Sequence, residues 1–110
     1  MAIAREIKAI IRQAKLDDVL GALRRIPGLP GVTVSLVRGF GKPLPPEGME
    51  LEHAPMNKLE IVVAAEMAET VIQAIVDGGW TGQVGDGKVF VYDVGEIANI
   101  RTKNRGLAAL

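Results

Sequence analysis

The run Thr81-Gly82-Gln83-Val84-Gly85-Asp86-Gly87-Lys88 sets glycines, an aspartate and a lysine directly before an apolar stretch, Val89-Phe90-Val91-Tyr92. Glycines let backbone N–H groups approach an anion with no Cβ in the way, and a lysine beside them adds a point charge suited to phosphate. The segment reads as a phosphate cradle. Taken alone it is also sound hairpin chemistry, since Gly-Asp-Gly-Lys before a strand makes an ordinary turn. Only residues elsewhere in the chain can weigh one against the other.

Composition removes several other chemistries. The chain has no cysteine, which excludes disulfides, thiol nucleophiles and cysteine-ligated metals. Its one histidine, His53, lies among Glu50, Glu52 and Met56 and reads as solvated, so no metal site is expected. Thirteen Lys and Arg balance 13 Asp and Glu, which argues against nucleic-acid or membrane binding by bulk charge. No nucleophile–base pair is evident, so the chain is not expected to be an enzyme. The N-terminus, with Arg5 and Lys8 among short apolar runs, does not read as a secretory leader. No segment approaches the roughly 20 apolar residues that span a bilayer. A cytoplasmic location is expected by elimination.

The elements that must position the loop follow from periodicity. In 110 residues a single domain, 1–110, is expected. Ile7, Ala9 and Ile11 alternate within a strand from Arg5 to Arg12, with Ile10 on the other face. Leu16, Val19, Leu20, Leu23 and Ile26 fall at helical spacing, and Pro27-Gly28 stops that helix. A second strand runs from Val32 to Val37 and a third from Lys58 to Val63. Ala68, Val71, Ile72 and Ile75 mark a second helix closed by Gly78-Gly79, and Val89 to Tyr92 is the fourth strand. Glu96 to Arg101 is a short further element. Between the second and third strands, 42–57 is expected to be a long regulatory loop; Pro43 to Pro55 holds four of the six prolines. The order predicts an α+β, ferredoxin-like βαββαβ fold, with two helices on one face of an antiparallel sheet. Apolar Ile10 and Val62 on the other face predict oligomerisation.

With these elements in place, the chain resembles the PII signal-transduction proteins. The resemblance rests on Ala9-Ile10-Ile11-Arg12 leading to Lys15-Leu16-Asp17-Asp18-Val19, on Val37-Arg38-Gly39-Phe40-Gly41, on Lys58-Leu59-Glu60-Ile61-Val62-Val63, and on Thr81 through Lys88 to Ile100-Arg101-Thr102. It implies a homotrimer that binds adenine nucleotides (ADP, AMP or ATP) in clefts between subunits and signals without hydrolysing them, with no required cofactor. Ile10 and Thr33 would face the adenine, and Glu60 would accept from the ribose hydroxyls. Gly85, Asp86 and Gly87 would form the phosphate loop, and Lys88 and Arg101 would supply charge. Gly39 and Gly41 would pass the base of the long loop close to the phosphates. A partner, such as a membrane transporter or an enzyme, would read that loop.

The departures from the family pattern are specific. The loop after Gly41 is shorter than in the nitrogen-regulating members and has no tyrosine to modify. Pro43 stands where many members carry a glutamine of the magnesium–2-oxoglutarate site, and proline brings no side-chain oxygen. Met56 stands where a lysine would meet the 2-oxoglutarate carboxylate, and Asn99 replaces the first of two phosphate-binding arginines. These residues imply ADP or AMP favoured over ATP, and a signal other than 2-oxoglutarate, with bicarbonate and inorganic-carbon sensing one candidate. The alternative is a regulator or tolerance module linked to a membrane metal transporter, without nucleotide sensing.

Overall fold

The computed structural model describes residues 2–39 and 54–110. Strand β1, Ala4–Arg12, buries Ile7, Ala9 and Ile11 while Lys8, Ile10 and Arg12 face the other way. A 3-10 turn, Gln13–Lys15, leads into helix α1, Leu16–Arg24. Val19 and Leu23, one helical turn apart, are its buried side chains. Asp17 and Asp18 in the first turn and Arg24 in the last oppose the partial charges of the helix ends. Strand β2 is Thr33–Gly39, strand β3 Ala54–Ala64, helix α2 Ala68–Gly79 and strand β4 Gly87–Val94.

The strands lie in the order β2-β3-β1-β4, each antiparallel to its neighbours. Each helix therefore crosses over one intervening strand, the split βαβ arrangement that periodicity predicted. Both helices pack on the face bearing Ile7, Leu59, Ile61 and Val63, and the core is closed by Val19, Leu23, Val71 and Ile75. The helices come close at Gly78, where a Cβ would stand 3.1 Å from the Cα of Val19. No helix among the described residues is long and apolar enough to cross a membrane.

Two boundaries differ from expectation. β3 begins at Ala54 rather than Lys58, so residues 54–57 of the expected 42–57 loop stand in the sheet, and the rest of that loop lies outside the described residues. The segment Glu96–Arg101 is neither helix nor strand: it enters a turn closed by a bridge between Ala98 and Arg105. Leu59 is fully buried, directly opposite Ala9 on one side and Val34 on the other. Leu59→Ala is expected to cost about 2–5 kcal/mol, read from the urea midpoint. A loss below about 1 kcal/mol would contradict its place at the centre of the core.

Candidate functional site

The segment between α2 and β4 is tied to itself and to β1 by one carboxylate. Asp86 Oδ2 accepts from the Thr81 N–H at 2.7 Å and the Gly82 N–H at 2.9 Å. Its Oδ1 accepts from Arg12 Nε at 2.9 Å and from the Thr81 hydroxyl. Arg12 Nη2 also donates to the Val84 carbonyl at 2.6 Å, so one guanidinium braces both sides of the loop. The Arg12 guanidinium first, then the Thr81 hydroxyl and N–H groups, hold the Asp86 carboxyl well below the usual carboxylate range. Asp86 thus spends both oxygens shaping the loop.

Gly85 and Gly87 hold positive φ of 100° and 98°. At Gly87 the backbone passes so close to β1 that a Cβ would fall 1.7 Å from the Ile10 carbonyl oxygen. Lys88 follows, exposed, in register with half-buried Ile10. Directly paired residues share a face, so Ile10 and Lys88 stand together on the side of the sheet away from the helices. Trp80, the chain's one tryptophan, is 66% exposed and lies against Gly82. It borders an open, largely apolar hollow of about 470 Å³ between α2 and β4, with Asp86, Gly87 and Lys88 along its edge.

Thr33 and Glu60 form a second cluster. They are direct cross-strand partners, and Glu60 also faces Lys8 of β1 and lies 3.6 Å from Lys58 Nζ. Lys8 in turn sits 4.8 Å from the centre of the Tyr92 ring. β2 and β4 are opposite edges of the sheet, so three strand spacings, roughly 14 Å, separate Thr33 from the row that carries Lys88. Gly39 ends β2, where a Cβ would meet nothing within 4 Å among the described residues, at the same end of the sheet as Arg12 and Gly87. Gly41 lies outside the described residues, as do Pro43 and His53. Arg101 is exposed on the turn after β4, which has carried the chain from Gly87 to the other end of the sheet.

One chain therefore brings together Ile10 with Gly85–Lys88, and Thr33 with Glu60; Glu60 stands diagonally from Ile10 on the paired strands, while Thr33 and Lys88 lie on opposite edges of the sheet. Sequence reading counted Thr81 in the loop but gave neither Thr81 nor Arg12 a part in shaping it. Arg12 is separated from Asp86 by 74 positions, and only the pairing of β1 with β4 makes them neighbours. The signal available was a cation ending an otherwise alternating strand. Chemically, the loop is braced by its own hydrogen bonds and carries exposed Lys88 beside glycine backbone, groups that can hold an anion. Among the described residues no group of three His, Cys, Asp or Glu side chains is placed to hold a metal.

Comparison with known proteins bears on the family and the fold. The family model "Nitrogen regulatory protein P-II" matches residues 4–104. The chain is 43% identical over 112 residues to the nitrogen regulatory protein P-II of Rhizobium meliloti, covering 96% of this chain and 99% of that one. It is also 43% identical over 104 residues to the protein of that name from Pasteurella multocida, covering 89% and 92%. Among solved structures, the Arabidopsis thaliana PII protein bound to citrate superposes with a TM-score of 0.84 at 38% identity, covering 99% of this chain and 94% of that one.

Proposed function

The chain belongs to the nitrogen regulatory protein P-II family, and on that premise we propose that it is a non-enzymatic regulator that binds adenine nucleotides between the copies of a homotrimer. The observation that carries this is the 81–88 loop, held by Asp86 and Arg12 through the chain's own hydrogen bonds. A loop braced by its own side chains gives up little ordering entropy on binding. The separation of Thr33 from Lys88, on opposite edges of the sheet, supports a site completed by a second copy. In it one subunit offers Ile10, Gly39, Gly41 and the Gly85–Lys88 loop, while its neighbour offers Thr33 and Glu60 for the base and ribose, with Arg101 on the phosphates. The citrate held by the plant relative is a small polyanion on the same fold.

Asn99 in place of an arginine leaves Arg101 with one guanidinium fewer beside it, so ADP and AMP are favoured over ATP. Pro43 and Met56 remove the groups that would hold 2-oxoglutarate, and bicarbonate is the proposed second effector. Phosphate number selects among conformations of the loop that follows Gly41, and a cytoplasmic face of a transporter or an enzyme reads it. Ligand shifts that equilibrium only by its differential affinity for the two states.

Titration calorimetry with ATP, ADP and AMP, each with and without bicarbonate, tests the reading, and Trp80 fluorescence follows the same event at the loop. Lys88→Gln is expected to weaken ADP binding about tenfold to a hundredfold by removing a charge-assisted contact to phosphate. Tightest binding for magnesium-ATP would overturn the preference. Binding of no adenine nucleotide would overturn the reading itself and favour the metal-transporter-linked module.

A further inference from the structure

Beyond β4 the chain forms a small closed turn whose hub is Asn99. Its N–H donates to the Asn104 carbonyl at 2.9 Å, and its carbonyl accepts from the Lys103 N–H at 2.8 Å. Its side chain works in both directions: Oδ1 accepts from the Thr102 N–H at 3.0 Å, and Nδ2 donates to the Ala109 carbonyl at 3.3 Å. The last of these ties the turn to the final 3-10 segment, Gly106–Ala109, in which Ala109 is buried. Gly106 N–H to the Ile97 carbonyl and Asn104 N–H to the Thr102 hydroxyl complete the closure.

The bond from Thr102 to Asn99 Oδ1 closes a ring that spans Ile100 and Arg101 and nothing else. Packing does not hold that pair, because Ile100 is 96% exposed. Lys103 adopts a left-handed φ of 64°, a conformation an ordinary side chain takes only when its surroundings impose it. The shape of this turn is therefore set by hydrogen bonds, and most of them meet at Asn99.

We propose that Asn99 is a positioning residue for nucleotide binding, which acts by fixing the turn that presents Arg101. The inference rests on the nucleotide reading above. Both polar atoms of the Asn99 side chain are spent within the turn, while Arg101 is exposed. Truncating it frees the Thr102 N–H and the Ala109 carbonyl, and the turn loses the shape that aims the guanidinium.

The test is an ADP titration of the wild-type protein, Asn99→Ala, Arg101→Gln and the double variant, with amide hydrogen exchange on each. Arg101→Gln is expected to weaken ADP binding roughly tenfold or more, and Asn99→Ala roughly fivefold. The double variant is expected to bind no more weakly than Arg101→Gln alone, since a mis-aimed side chain matters only while it is present. Thr102 and Lys103 amides are expected to exchange faster in Asn99→Ala. Asn99→Asp, which keeps the acceptor for Thr102, is expected to keep that amide protected, and loss of its protection would overturn the role given to Oδ1. Losses that multiply in the double variant, or an Asn99→Ala affinity within about twofold of wild type, would overturn the proposal while leaving the nucleotide site standing. A wild-type protein that binds no ADP would overturn both.

Discussion

Gly87→Ala is expected to destabilise the protein by about 3 kcal/mol or more and to abolish nucleotide binding. Two independent penalties meet at this position. Its φ of 98° lies where an L side chain is strained, and the new Cβ would fall 1.7 Å from the oxygen and 2.8 Å from the carbon of the Ile10 carbonyl. Both contacts are with backbone, so no rotamer change relieves them. β4 would have to draw away from β1 at Ile11–Gly87, the last pair of that ladder, and Asp86 would move with it, away from Arg12. The comparison that isolates the cause is Gly39→Ala. There a Cβ meets nothing within 4 Å among the described residues, so a change within about 0.5 kcal/mol is expected. Urea unfolding of the two variants measures both numbers, and a Gly87→Ala loss near that of Gly39→Ala would refute the close approach.

The fold was legible in the sequence where one face repeats. Ile7, Ala9 and Ile11 marked β1, and the spacing of Leu16, Val19 and Leu23 marked α1, because each buries one side against a single shared core. The start of β3 was not legible because Pro55 reads as a strand breaker. Its position explains the exception: β1 ends at Arg12, opposite Met56, so Pro55 pairs only with Arg38 on β2 and has no β1 residue beside it. The glycines of the candidate site stood out by type. The groups that shape it did not, since Arg12 and Thr81 acquire their role from strand pairing and from one shared carboxylate. Asn99 was read as the absence of an arginine. The structure gives it work of its own, which a substitution read by charge alone leaves out.

Asp86→Asn is expected to loosen the loop although the side chains are nearly the same size. Four donors converge on the carboxylate, the Arg12 Nε and Thr81 hydroxyl on one oxygen and the Thr81 and Gly82 N–H groups on the other. An amide offers one acceptor oxygen, so its NH2 must face either two backbone donors or a guanidinium and a hydroxyl. Either way buried-side donors lose their partner, and ADP affinity is expected to fall on the order of tenfold. Protonation should do the same to the wild type. The folded carboxyl titrates below its ordinary value of 3.8, so the stability it contributes is complete above that value and is lost as pH falls through the lower, folded one. The gap in urea midpoint between wild type and Asp86→Asn is therefore expected to stay constant from pH 8 down to about pH 4 and to narrow below it. Arg12→Gln removes the largest cause of the depressed value, so in that background the gap is expected to be smaller above pH 4 and to finish closing at a higher pH, with its onset unchanged. A gap that closes between pH 8 and pH 5 would mean that some other group holds the loop.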